Sequence, residues 1–150
     1  MLLLRLTALS AAAALTLAAA AFGSLTPSAY RAQATAICSH AIDQVVAAGR
    51  PSTSTDAQNA KLYADTLAIT RTEYNALHLL KPPAALVAAH GRALWAEWYV
   101  LGAFAKIVKL PGGGTGHDQA TRAAWSNYMT LFGREGQAWA ALGLTRCEAA

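Results

Sequence analysis

The chain is poor in cysteine and lacks the spaced motifs of several common classes of small protein. Its 150 residues include two cysteines, and no C-x-x-C or C-x-x-C-H stretch occurs. The first absence argues against thioredoxin-like redox catalysis and the second against covalent attachment of c-type haem. H-E-x-x-H and E-x-x-H are also missing, which argues against a zinc protease and against a ferritin-like di-iron centre.

Sequence signals for nucleophilic catalysis and for phosphate binding are missing as well. No serine lies in a G-x-S-x-G nucleophile elbow. The glycine-rich stretch PGGGTG, residues 111–116, has no following Lys-Ser or Lys-Thr and comes after a predicted helix, so it indicates a flexible connector and not a phosphate loop. We therefore expect no enzymatic activity and no cofactor, with a bound metal or haem as the alternative.

Charge of one sign is not concentrated anywhere in the chain. Twelve Lys and Arg stand against 8 Asp and Glu, and the eleven basic residues after Arg5 are spread from Arg31 to Arg146. A nucleic-acid footprint needs basic residues clustered on one face, so nucleic acid is not an expected partner. A weak attraction to an anionic envelope surface is compatible with the net charge of +4.

The amino terminus carries the chain's long hydrophobic run, MLLLRLTALSAAAALTLAAAAFGS. Arg5, an apolar stretch to Ala21 and small residues after it are typical of a signal peptide over residues 1–23, cleaved after Ala21 or Gly23. An uncleaved anchor helix is the alternative. Cleavage leaves residues 24–150 as one domain without a stable transmembrane anchor, either secreted or in the periplasm or cell envelope. In such an oxidising compartment, Cys38 and Cys147 are predicted to form a disulfide.

The hydrophobic pattern after residue 24 has the period of a helix, with no sustained period-two alternation. Capping residues, prolines and glycines divide it into four predicted helices, and their short connections favour antiparallel neighbours. We predict an all-α, up-down-up-down four-helix bundle with one disulfide. The predicted helices run from Thr26-Pro27 to Gly49, from Thr55 to about Leu80, from about Ala84 to Leu110, and from about Asp118 to Leu142.

Polar residues interrupt the apolar stripes of the last two predicted helices. His90 and Glu97 lie on the inner stripe of the third helix, and Glu135 lies on that of the fourth. Antiparallel packing brings His90 and Glu135 to similar heights and predicts a direct pair, with Glu97 about 10 Å further along. Two interpretations remain open: a structural hydrogen bond that fixes helix register, or a metal, haem or small-ligand site inside the bundle.

Aromatic residues lie on the outer side of the third predicted helix. Trp95 and Tyr99 are four residues apart and share a side with Arg92 and Lys106, whereas Trp98 is predicted nearer the core. This side predicts a contact surface for another protein, a glycan or a lipid headgroup region. The alternative is that the rest of the bundle partly covers it.

Three segments, AYRAQATAICSHA (29–41), LLKPPAALVAAH (79–90) and AALGLTRCEA (140–149), form a pattern A-x-x-I-C, L-x-P-P and L-G-L-x-x-C. This pattern resembles small secreted helical proteins of actinobacterial type whose function is unknown. The resemblance implies the same disulfide and the same bundle, and it implies no catalytic residue. The stretch LPGGGTG departs from the second proline-rich hinge that such proteins often carry before the last helix.

The sequence as a whole favours an exported helical bundle that works by binding or by interaction with the cell envelope. The alternative function is a carrier of metal, haem or a small ligand, using His90, Glu97 and Glu135.

Overall fold

The computed structural model describes residues 25–49 and 55–149 and is built from helices, with no strand in those two ranges. Three short 3₁₀ turns accompany four long helices, so the all-α prediction is confirmed. The predicted signal peptide, its cleavage sites and Pro51 in the first linker lie outside the described residues. The helices are α1 (Pro27–Ala48), α2 (Asp56–Leu79), α3 (Val87–Val108) and α4 (Gln119–Ala140), and the 3₁₀ turns are Ala84–Leu86, Pro111–Gly114 and Thr145–Ala149.

Side-chain caps fix the starts of three helices. Thr55 and Gln58 form a capping box, in which each side chain accepts a hydrogen bond from the backbone N–H of the other. Asp118 accepts a 3.0 Å bond from the Thr121 N–H at the start of α4, and Thr26 caps α1. These bonds satisfy backbone donors that have no partner inside the helix.

Proline and glycine set the ends of the helices. The chain leaves the helical conformation before Pro82-Pro83 and makes a 3₁₀ turn before α3, which therefore begins at Val87, three residues later than predicted. Gly143 adopts a positive φ of 74° after α4, and the following Leu144 N–H donates to the Trp139 carbonyl oxygen at 3.1 Å. This glycine-dependent turn ends α4.

The glycine-rich stretch between α3 and α4 is packed against its neighbours, which the prediction of a flexible connector did not anticipate. Gly113 lies against Ala60 of α2, and Gly114 lies against Ile107, so that a β-carbon at either position would collide with its neighbour. The indole N–H of Trp125 donates to the Gly114 carbonyl oxygen at 3.0 Å. Glycine is needed here because the backbone comes too close to the helices for a side chain.

The predicted disulfide between Cys38 and Cys147 is present and links residues 109 positions apart. It fastens the middle of α1 to the carboxyl-terminal 3₁₀ turn, against which α1 also packs. Beside it, the guanidinium Nε–H of Arg31 donates to the Leu142 carbonyl oxygen at 2.7 Å. α1 is therefore held by the last turn of the fold as well as by α2.

The core consists of two apolar clusters. One surrounds the disulfide and includes Tyr30, Leu77 and Trp139. The other lies among α2, α3 and α4 and is built on Leu67, Leu101, Phe104 and Ile107. α3 packs against both α2 and α4, so its inner side chains face both of these helices.

None of the helices in the two described ranges combines the length and apolarity needed to cross a bilayer.

Candidate functional site

The least compensated polar group in the described core is the carboxyl group of Glu97. It lies on the inner side of α3 between Leu94 and Leu101, and 2% of the residue is exposed. Within the described residues, neither carboxyl oxygen has a hydrogen-bond partner. Burial without a partner is costly for a polar group and much more so for a charged one. Glu97 therefore needs a proton or a positively charged ligand.

Two more buried carboxyl groups line the same cavity as Glu97. Glu73 comes from α2 and Glu135 from α4, and they are 5% and 6% exposed. We call these three glutamates the carboxylate cluster. The cavity that they line has a volume of about 30 Å³, which is room for a water molecule or a single ion. Its other lining residues are Thr66, Thr70, Val100, Leu101, Phe104 and Tyr128.

The carboxylate cluster lies where the two apolar clusters meet. Trp139, which belongs to the first cluster, hydrogen-bonds to Glu135, and Leu101 and Phe104 of the second cluster line the cavity. Apolar surroundings strengthen every electrostatic interaction among the three carboxyl groups, because little water is present to screen them.

Burial raises the pKa of all three glutamates, and repulsion from neighbouring carboxylates adds to it for Glu73 and Glu97. The pKa of Glu97 rises from 4.5 to about 9, first through burial and then through the charges of Glu73 and Glu135. Burial and the charge of Glu135 raise the pKa of Glu73 to about 8. Burial also raises the pKa of Glu135 to about 7, against the lowering effect of its bond from Trp139. With no ligand at neutral pH, Glu73 and Glu97 are thus protonated.

The predicted direct pair between His90 and Glu135 is wrong. His90 Nδ1 shares a 2.7 Å hydrogen bond with the Tyr30 hydroxyl group, and Glu135 Oε1 accepts a 2.9 Å bond from the indole N–H of Trp139. The Trp139 ring lies edge-on to the His90 ring, with centroids 6.2 Å apart. Trp139 therefore occupies the position through which His90 and Glu135 would have met.

His90 is buried, as predicted, but it belongs to the apolar cluster around the disulfide. Its pKa is lowered from 6.5 by burial and then by the charge of His78. Burial raises the pKa of its partner Tyr30 to about 12. This neutral pair satisfies itself and does not line the cavity of the carboxylate cluster.

Of the three predicted cluster residues, Glu97 and Glu135 line one cavity, and the third member of the carboxylate cluster is Glu73. The sequence analysis did not select Glu73. Its signal is the spacing of Thr66, Thr70, Glu73 and Leu77, which recur every three or four residues and so share one side of α2. Leu77 on that side is fully buried, which places Glu73 inside as well.

The donor atoms around the cavity are oxygens. Carboxylate and hydroxyl oxygens favour hard cations such as Mg²⁺, Ca²⁺ and Mn²⁺. In residues 25–49 and 55–149, no three His, Cys, Asp or Glu side chains are already grouped in the way that holds a metal ion. A cation in this cavity would therefore draw the glutamate side chains inward by rotation.

The outward side of α3 carries three exposed aromatic residues. Trp95 and Tyr99 are 65% and 45% exposed, and their rings meet edge-on with centroids 4.3 Å apart. Trp98 is 60% exposed, so the prediction that it lies nearer the core is wrong. α1 packs against α2 and the carboxyl-terminal turn and leaves this side of α3 open. The α3 aromatic surface is Trp95, Trp98 and Tyr99 together with the exposed Arg92 and Lys106.

Comparisons with protein-family models, with curated proteins and with solved structures give no match to this chain.

Proposed function

We propose that this chain is an exported binding module whose ligand is a divalent cation held inside the bundle by Glu73, Glu97 and Glu135. The observation that carries the proposal is the buried carboxyl group of Glu97, whose two oxygens have no partner among the described residues and which lines a cavity with two other glutamates. Export is supported by the predicted signal peptide and by the disulfide, because disulfides persist in oxidising compartments.

A cation would remove the main cost of the carboxylate cluster. Three carboxyl groups in apolar surroundings repel one another when ionised, and each loses its hydration. A doubly charged ion between them replaces repulsion by attraction and gives the two free oxygens of Glu97 a partner. The cavity of about 30 Å³ fits an ion, whereas a porphyrin is far larger. The cluster therefore favours a metal ion over haem.

The up-down-up-down arrangement expected from the short connections is consistent with this site. In that arrangement α2 ends, α3 begins and α4 ends at the same end of the bundle. At a rise of about 1.5 Å per residue, the distances of Glu73, Glu97 and Glu135 from that end differ by at most about 8 Å. One ion spans such a difference when the glutamate side chains extend towards it. The site needs α2, α3 and α4, and α1 contributes no residue to it.

Binding of the ion is coupled to loss of protons. Since Glu73 and Glu97 have pKa values raised to about 8 and 9, both are protonated near neutral pH, and a cation must displace these protons. Affinity should consequently rise with pH. The number of protons released is measurable by calorimetry in buffers of different ionisation enthalpy.

Titration with Mn²⁺ tests the proposal. At saturating concentrations, about a hundred times Kd, a ligand of the folded state adds about 2.7 kcal/mol of stability, so the melting temperature should rise. Glu97→Gln should abolish the rise, and it should still fold because the amide has the shape of the protonated acid. Asp43→Asn, at an exposed position of α1, is the matched control and should bind like the wild type.

Either of two results would contradict the proposal. It is wrong if Mn²⁺, Ca²⁺ and Mg²⁺ give neither a binding heat nor a change in melting temperature, or if Glu97→Gln binds the ion as tightly as the wild type.

A further inference from the structure

The α3 aromatic surface exposes a large apolar area to solvent. Trp95 and Trp98 leave well over half of their area in water, and Tyr99 lies against Trp95 one turn further on. Large rings clustered on one side of a helix are a recognised mark of an interaction surface. Indole and phenol rings also combine an apolar body with a polar edge, which suits a boundary between water and an apolar phase.

A groove between α2 and α3 extends this apolar area. Trp98 and Tyr74 line it, with ring centroids 5.8 Å apart, and Gly102 lies in its wall. Gly102 is exposed, and a β-carbon at this position would meet open space. The groove has a volume of about 300 Å³, and Arg71 lies at its polar edge. The apolar area is therefore continuous from Trp98 towards α2.

The exposed charges of α3 have one sign. Glu97 is the only acidic residue in the α3 sequence, and it is buried. The basic residues Arg92 and Lys106 are exposed, and Arg71 adds a third positive charge across the groove. An anionic partner is complementary to such a surface.

We propose that the α3 aromatic surface lies on an anionic lipid bilayer. Trp95, Trp98 and Tyr99 enter the headgroup region, where tryptophan and tyrosine are enriched in membrane proteins, while Arg92 and Lys106 contact lipid phosphates. A second copy of the chain suits this surface less well. A two-fold symmetric dimer built on it brings the arginines and lysines of both copies into one interface.

The proposal is independent of the cation site and is tested with a chelator present. Binding is measured by sedimentation with vesicles of phosphatidylcholine containing one third phosphatidylglycerol, and by the blue shift of tryptophan fluorescence. The wild type should bind these vesicles and should bind pure phosphatidylcholine much more weakly. Trp95→Ala with Tyr99→Ala should weaken binding by about tenfold or more, since both side chains leave the interface.

One further variant tests the contribution of charge to vesicle binding, and another is a control. Arg92→Glu with Lys106→Glu should remove the preference for anionic vesicles and the salt dependence of binding. Met129→Ala, at a residue of α4 that is 58% exposed, is the control and should bind like the wild type. Circular dichroism checks that each variant is folded.

Three results would overturn the proposal. The first is a wild type that does not bind the anionic vesicles, and the second is full binding by the folded Trp95→Ala, Tyr99→Ala variant. The third is a concentration-dependent dimer, seen by analytical ultracentrifugation, that this variant abolishes while vesicle binding is absent. That result would assign the surface to a second copy of the chain.

Discussion

The indole N–H of Trp139 donates a 2.9 Å hydrogen bond to Oε1 of Glu135, one turn earlier on α4. The same indole ring lies edge-on to His90, so Trp139 stands between a neutral histidine and three acidic residues. Two buried polar groups that the sequence suggested would pair are instead separated and individually satisfied. On the acidic side, Glu97 has no hydrogen-bond partner in the part of the chain that the structure describes.

Replacement of Trp139 by Phe should raise the pKa of Glu135 above about 7, because the bond from Trp139 lowers it. Loss of a buried hydrogen bond and of ring volume should also cost about 1–3 kcal/mol of stability. Carboxyl ¹³C NMR titration measures the pKa, and urea unfolding measures the stability. Trp125→Phe is the matched control: it loses the bond to Gly114 and should leave the pKa of Glu135 unchanged. An unchanged pKa in Trp139→Phe would contradict the role assigned to this bond.

Stability should fall as the pH rises from mildly acidic to alkaline. The folded protein keeps protons on Glu73 and Glu97 that the unfolded chain releases above about pH 4.5. Their contribution is complete below that pH and is lost as the pH rises through pKa values of about 8 and 9. His90 acts in the opposite sense, since its lowered pKa removes stability as the pH falls below 6.5. Stability should therefore be greatest at mildly acidic pH, between about 4.5 and 6.5.

Urea unfolding across this pH range, with a chelator present, measures the effect. Glu97→Gln should reduce the alkaline loss by more than about 1.4 kcal/mol, the free energy of one pKa unit. Asp43→Asn, on the surface, should follow the wild type. A stability that rises from pH 6.5 to alkaline pH would show that the buried glutamates are ionised in the folded protein.

His90 and Tyr30 should matter for stability and not for cation binding. Tyr30→Phe leaves His90 Nδ1 without its 2.7 Å partner inside the core, which should cost about 1–3 kcal/mol. His90→Gln should likewise destabilise the fold, and both variants should bind Mn²⁺ with affinity close to that of the wild type. Calorimetry at a temperature where both remain folded makes the comparison. Loss of Mn²⁺ binding in His90→Gln would restore the hypothesis of a carrier that uses His90.

Local sequence signals were sufficient to place the helices. These signals act within a few residues of sequence, so they do not depend on contacts with distant segments. They are the capping box of Thr55 and Gln58, the Asp118 cap and the proline pair. α3 begins three residues later than predicted because a 3₁₀ turn precedes Val87. Helical spacing also correctly placed His90, Glu97 and Glu135 inside the fold.

The partners of those buried groups could not be predicted, since they depend on packing between distant segments. Tyr30 reaches His90 across 60 residues of sequence, and nothing local to either residue indicates that contact. Trp98 was placed wrongly for the same reason, since its exposure depends on how the other helices pack around α3. Glu73 was the avoidable omission, because its spacing from Leu77 already indicated the inner side of α2.

The bond between Cys38 and Cys147 has a consequence for the order of events during biosynthesis. The two cysteines are 109 residues apart, so Cys147 does not yet exist while α2, α3 and α4 are synthesised and Cys38 has no cysteine of its own chain to pair with. α1 cannot reach its final packing until the segment from Leu142 to Cys147 exists, because that segment forms part of its binding surface. Completion of the fold thus depends on the last helical turn, after the carboxylate cluster has all three of its helices.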